Sequence, residues 1–252
     1  MSDIIDIEVN HLQAGYDTVT ILDDISFTVK RGEIFVVIGG SGCGKSTLLK
    51  HIIGLHRPQS GEALIKGYRI FGGDSDEQDR AMRSFGVTYQ NGALFGSMTL
   101  LENIMLPLEV FTDLPLEARR MLAEMKLDLV GLKAFASYFP SDISGGMKKR
   151  AAIARAMALD PGILFLDEPS AGLDPVTSDE IDELILRLRR TQTITFVIVT
   201  HELASIFKIA DRCIMLDNET RGIIAEGSPE ELRNHPPHPK VDAFFNRKSM
   251  NG

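Results

Sequence analysis

The run Ile34-Phe-Val-Val-Ile38 followed by Gly39-Gly-Ser-Gly-Cys-Gly44-Lys45-Ser46 constrains this chain more than any other feature. A continuous β-branched and aromatic run reads as a strand buried on both faces. The glycine cluster ends it, and Ser46 to Ile53 reads as a helix stopped near Gly54 and Pro58. In the order strand, G-x-x-x-x-G-K-[ST], helix, consecutive main-chain N–H groups turn toward one anion and the helix N-terminus adds its dipole. Gly39, Gly40, Ser41, Gly42, Cys43 and Gly44 form the cradle, and Lys45 supplies charge to β and γ phosphates. Ser46 offers a hydroxyl to Mg2+, and Thr47 adds a phosphate contact. The bland alternative is a glycine-rich turn that binds nothing; its placement between strand and helix argues against it.

A second site follows from Ile163-Leu-Phe-Leu-Asp167-Glu168-Pro169, an apolar strand that delivers two carboxylates at its end, where open α/β sheets bind ligands. Adjacent strand residues point to opposite sides, which predicts different tasks for the two acids. Asp167 suits Mg2+, and Glu168 suits polarising the water that attacks a γ-phosphate. Thr195-Phe-Val-Ile-Val199 is another apolar strand, expected beside the acidic one, and His201 just after it is placed to reach the same phosphate or water. A lone histidine also serves as a surface or packing residue.

Between and around these motifs the hydrophobic period changes. From Ile4 to Val29 apolar residues alternate, with a break at Ala14-Gly15, predicting antiparallel strands. Between Gly92 and Asp160 helical stretches punctuated by Pro107, Pro115, Gly131 and Pro140 dominate, as in a helical lobe inserted into a sheet-bearing body. Ile181, Leu184, Ile185 and Leu188 mark the buried face of a helix after Pro175, and Arg212 to Leu216 is a shorter strand. The tail from Ser228, with Pro229, Pro236, Pro237 and Pro239, reads as a short helix, a stiff linker and an aromatic anchor at Phe244 and Phe245.

Composition excludes some classes. With 44 % hydrophobic and 25 % charged residues in 252, the chain can bury a core and is neither disordered nor low-complexity. A net charge of −8 gives no global field for nucleic acid. No apolar run approaches the ~20 residues that cross a bilayer, and the start, Met1-Ser-Asp-Ile-Ile-Asp6, is acidic where a signal peptide would be basic, so a cytoplasmic location is expected. Two cysteines, Cys43 and Cys213, are too few for a disulfide framework and read as buried or semi-buried thiols; a redox role for Cys43 is the alternative.

Asp142-Ile-Ser144-Gly145-Gly146-Met147-Lys-Lys-Arg150 resembles the signature of ABC-type ATPases, usually Leu-Ser-Gly-Gly-Gln. The phosphate loop, the acidic strand, Ser170-Ala-Gly-Leu-Asp174 and His201 come with it in the family's order. The resemblance implies an α/β P-loop NTPase core with a mostly parallel sheet, an N-terminal antiparallel β subdomain and an inserted α-helical subdomain at about 92–160. The nucleotide-binding domain would span 1–227, with 228–252 a tail. It further implies a Q-loop role for Gln90, in catalysis and at Mg2+, adenine stacking on Tyr16, and an ATP-sandwich dimer with a second copy. In that dimer Ser144, Gly145 and Gly146, preceding a helix expected over Lys148 to Ala158, cover the ATP held by the partner.

A narrower resemblance is to the ATPases of Mla-type, MCE-associated lipid transporters. It rests on Gln90-Asn-Gly-Ala-Leu-Phe95, Glu102-Asn-Ile-Met-Leu-Pro-Leu108, Leu114-Pro115, Met125-Lys-Leu127, Val130-Gly-Leu132 and Met147 with its basic followers. This implies ATP-driven transport of phospholipid or a related hydrophobic molecule through a separate permease, at the cytoplasmic face of the inner membrane. An MCE-domain substrate-binding protein and a small STAS-like protein would be accessory partners, with no nucleic acid. Two features depart from it: Ser170-Ala-Gly-Leu-Asp174 is the ordinary ABC form, and the tail is short for an arm embracing a partner. An ABC transporter ATPase for another substrate, and a non-transport ABC ATPase, are the alternatives.

Overall fold

Alternate side chains of the central strands enter two different hydrophobic cores. Strands β3 (Ile34–Gly39), β7 (Ile163–Asp167) and β8 (Thr195–Val199) are buried along their whole length in the computed structural model. Ile34, Val36, Ile38, Leu164, Leu166, Phe196 and Ile198 face one core. Phe35, Val37, Ile163, Phe165, Val197 and Val199 face the other. A pleated strand sends successive side chains to opposite faces, so a doubly covered sheet needs continuous apolar runs. The structure describes residues 4–247; Met1-Ser-Asp3, on which part of the acidic-start argument rests, and the end of the tail after Arg247 lie outside the described residues.

The main sheet has the order β10 (Ile223–Gly227), β9 (Arg212–Leu216), β3, β8, β7, β6 (Phe85–Thr88). All neighbours are parallel except β10, which is antiparallel to β9. The fold is thus α/β with a mostly parallel sheet. A second, antiparallel sheet runs β2 (Val19–Lys30), β1 (Ile5–Tyr16), β4 (Ser60–Ile65), β5 (Tyr68–Arg69). The break expected at Ala14-Gly15 falls later: β1 pairs with β2 as far as Tyr16↔Val19. A two-residue turn suffices there because Asp17 takes a left-handed conformation, φ 49°, matching the twist of the strands it joins. Helix α1 (Lys45–Ile52) packs Leu48, Leu49 and Ile52 into the core between the two sheets, and α2 (Ser75–Arg83) leads into β6.

The stretch expected to be helical contains α3 (Leu100–Phe111), α4 (Leu116–Leu129) and α5 (Gly145–Ala156). Pro107 does not end α3. A capping box between Thr99 and Glu102 fixes the start, and Leu100, Ile104 and Leu108 bury one stripe in the core; this outweighs the ~3 kcal/mol that proline costs inside a helix. Helix α5 begins three residues before the expected Lys148. Ser144 Oγ accepts from the Met147 N–H at 3.3 Å, so Gly145 and Gly146 form its first turn. Then follow α6 (Pro175–Gln192), α7 (Leu203–Ile209), α8 (Pro229–Asn234) and α9 (Pro239–Asn246). The prolines divide the last two, and Phe245 packs edge-on to Phe207 of α7 at 5.8 Å between ring centroids.

Candidate functional site

Because β3, β8 and β7 are parallel neighbours, their C-terminal ends open onto one edge of the sheet. The phosphate loop follows β3, Asp167 and Glu168 close β7, and His201 follows β8. Sequence separations of more than a hundred residues thus collapse into one site. Lys45 Nζ donates to the carbonyls of Gly39 and Gly40, each at 2.9 Å, and holds the loop open. Gly44 caps α1 at φ 99°, a conformation strained for any other residue. A cavity of about 310 Å³ over the loop is lined by Ile21, Gly42, Gly44, Lys45, Ser46 and Thr47.

Ser46 Oγ donates to Asp167 Oδ1 at 3.5 Å, joining the loop to the acidic strand. Asp167 is 9 % exposed. Burial pushes its carboxyl above the usual range and the Glu168 charge adds to this, while the Ser46 hydrogen bond, Lys50 and Lys45 oppose it. A hydroxyl and a half-satisfied carboxylate are hard oxygen donors, the chemistry that suits Mg2+.

Glu168 corrects the argument from strand alternation. It has left the strand: its φ is 49°, a conformation that costs on the order of 1–3 kcal/mol for a non-glycine residue. Its N–H is held by the Val199 carbonyl at 2.8 Å. The turn aims the side chain at β8, and Glu168 Oε1 lies 2.8 Å from His201 Nδ1. The other carboxylate oxygen, Oε2, is buried with no partner among the described residues, an unmet acceptor that a water or a proton-bearing group would satisfy. His201 Nε2 lies 3.7 Å from Glu202.

The structure fixes Gln90 through its main chain, whose carbonyl accepts from Lys149 Nζ at 2.5 Å. Tyr16 is not in the cavity lining. Its ring stands edge-on to His56 at 5.1 Å and tilted to His51 at 6.3 Å; His51 in turn contacts the Thr47 carbonyl through Nδ1 at 2.8 Å. Tyr16 therefore flanks the flank of α1 below the loop. Ser144, Gly145 and Gly146 are not in the lining either; a Cβ on Gly145 would meet Leu173 at 3.4 Å, and one on Gly146 would meet Thr177 at 2.3 Å. Cys43 and Cys213 are free and buried. Burial raises both thiols, Cys213 to about 12, against the reactive reading of Cys43.

Two residues escaped the sequence reading. Lys149 Nζ also donates to the Glu168 carbonyl at 2.7 Å, and Arg155 donates to the carbonyls of Ala93 at 2.7 Å and Gly92 at 3.1 Å. Lys149 sits inside the run Lys148-Lys149-Arg150, which follows Met147 in the sequence only as a basic stretch; its contacts with the two carbonyls come from the seating of α5.

Phosphate loop, acidic strand end and adjoining histidine define a nucleoside-triphosphate-hydrolysing cassette. The profile of the ABC transporter family matches residues 22–171, and the chain belongs to that family as an ATP-binding, ATP-hydrolysing subunit that uses ATP and Mg2+. It is 38 % identical over 226 residues to the intermembrane phospholipid transport system ATP-binding protein MlaF of Haemophilus influenzae, covering 90 % of this chain and 85 % of that one. It is 39 % identical to the probable ribonucleotide transport ATP-binding protein mkl of Mycobacterium bovis, covering 98 % of this chain and 68 % of that one. It is also 39 % identical to the methionine import ATP-binding protein MetN 2 of Enterococcus faecalis, covering 91 % and 67 %. Among solved structures it resembles a dimeric post-hydrolysis ATP-binding cassette bound to ADP and Pi, with a TM-score of 0.78, 31 % identity and coverage of 88 % and 98 %. It also resembles cbiO1 of Clostridium perfringens, part of the ABC transporter complex cbiONQ, with a TM-score of 0.83, 28 % identity and coverage of 94 % and 93 %.

Proposed function

We propose that this ATPase works as a head-to-tail dimer that energises transport of phospholipid or a related hydrophobic molecule through a separate membrane permease. One observation carries the dimer: the signature residues Ser144, Gly145 and Gly146 open a helix, yet the cavity over the phosphate loop has none of them in its lining. A helix N-terminus suited to phosphate, unused by the chain's own loop, suits the nucleotide of a second copy. That a solved cassette 31 % identical to this chain is dimeric with ADP and Pi bound supports pairing of two copies.

In this reading Lys45 and the loop N–H groups from Gly39 to Thr47 hold the phosphates, and Tyr16 stacks on adenine. Ser46, Asp167 and Gln90 would hold Mg2+, which when bound draws electron density from the phosphate oxygens. Glu168 takes a proton from the attacking water, and His201, fixed against it, orients that water and the γ-phosphate. Among the described residues no helix is long and apolar enough to cross a membrane; the proposed arrangement places the permease on another chain and this ATPase against it at the cytoplasmic face of the inner membrane.

The lipid substrate is supported by the name of the MlaF relatives and by the similarity of the Gln90–Leu132 stretch. An MCE-domain protein and a STAS-like protein are the accessory partners this reading brings. The test is to isolate the intact complex from membranes and identify its subunits and bound small molecule by mass spectrometry. A permease with bound phospholipid is expected; a methionine or nucleotide cargo would overturn the lipid reading and leave the ATPase intact.

A further inference from the structure

Lys149 of α5 donates to both the segment after β6 and the segment after β7, through the Gln90 and Glu168 carbonyls. Those strands are parallel neighbours, so the ammonium stands between two loops that leave the same edge of the sheet. The Glu168 main chain is gripped from both sides, its N–H by the Val199 carbonyl and its own carbonyl by Lys149 at 2.7 Å and, at the longer 3.3 Å, by the Ala171 N–H. Arg155, on the same helix, holds Gly92 and Ala93, which take left-handed conformations at φ 72° and 48°. Two cations of one helix therefore hold three carbonyls of the 90–93 loop and one of the carboxylate segment. Burial holds the Lys149 ammonium below the usual lysine range, and the Glu168 and Asp167 charges oppose this; charged donors make the stronger hydrogen bonds.

We propose that Lys149 is a positioning residue for ATP hydrolysis: it fixes the Glu168 main chain relative to Gln90 and α5, so that movement of the 90–93 loop or of the signature helix is transmitted to the Glu168 carboxylate. This rests on the reading of Glu168 as the group that activates water. Because Glu168 already holds a left-handed conformation, its side-chain direction depends on what grips its two peptide groups. Misplacement of a reacting group by about 1 Å can cost roughly 100-fold in rate.

The test uses the full chain with MgATP. Lys149→Met keeps the stem and removes the donors; kcat is expected to fall at least about tenfold, with KM and affinity for a non-hydrolysable ATP analogue within about twofold. Lys149→Arg restores most of kcat. A Met variant with wild-type kcat overturns the proposal, as does a loss of kcat that tracks a lowered melting temperature and is not recovered by arginine. Glu168→Gln, assayed alongside, separates the two levels. If it stops turnover while Lys149→Met does not, the proposal fails and the Glu168 reading stands; if it turns over normally, the underlying reading fails.

Discussion

His201 Nδ1 lies 2.8 Å from Glu168 Oε1, while Glu168 Oε2 is buried and without a partner among the described residues. A carboxylate only accepts hydrogen bonds, so an ionised Glu168 takes one from Nδ1–H and keeps its second oxygen for the reaction. The pair is built by adjacent parallel strands, with Asp167 in register with Val199.

Glu168→Gln removes the proton acceptor and keeps the shape. Turnover is expected to drop by about 10²–10⁴ while ATP affinity stays within a few-fold, and an ATP-trapped dimer should appear in size-exclusion chromatography. Near-normal hydrolysis would remove Glu168 from its role.

Lys45→Ala takes away both the phosphate charge and the two hydrogen bonds that hold the loop open. Nucleotide affinity measured by calorimetry should weaken by at least about tenfold, roughly 1.4 kcal/mol. Unchanged affinity would contradict the phosphate-loop reading.

Ser144→Arg places a long side chain at the helix N-terminus offered to the second copy. Dimer closure with ATP should fail while each chain still binds nucleotide, seen by light scattering beside a binding titration. A variant that hydrolyses ATP as a monomer would refute the shared site.

Asp182, 4 % exposed on α6, has its carboxyl pushed from 3.8 to about 6, chiefly by burial, with Asp179 and Glu183 adding and the Ser205 hydroxyl and Lys208 opposing. Between these two values the folded chain keeps a proton that the unfolded chain has released. The contribution of this group therefore falls as pH rises from about 4 to 6 and is constant above. Asp182→Asn should be neutral near pH 4 and stabilising by about 2–3 kcal/mol at pH 7.5, an upper figure from about 1.4 kcal/mol per unit. Urea unfolding at both pH values checks it; a pH-independent difference would sink the assignment.

Gly86 on β6 lies so close to α5 that a Cβ would stand 2.0 Å from the Ala156 carbonyl oxygen. Gly86→Ala must push the signature helix off the sheet, and a loss of about 2–3 kcal/mol in denaturant unfolding is expected. Wild-type stability would mean that this contact yields freely.

The apolar central strands, the phosphate loop, the acidic strand end and the family were legible in the amino-acid sequence alone. Each is a local pattern whose physics acts over a few residues: continuous apolar runs for Ile34–Ile38 and Ile163–Leu166, and a glycine cluster from Gly39 to Gly44 between strand and helix. How these pieces meet was set by contacts across the fold. That Glu168 turns out of its strand toward His201, that α3 survives Pro107, and that Lys149 reaches both the Gln90 and the Glu168 carbonyls all depend on contacts between segments far apart in the chain. Burial and hydrogen bonding across strand neighbours set these outcomes, and a linear pattern does not carry them.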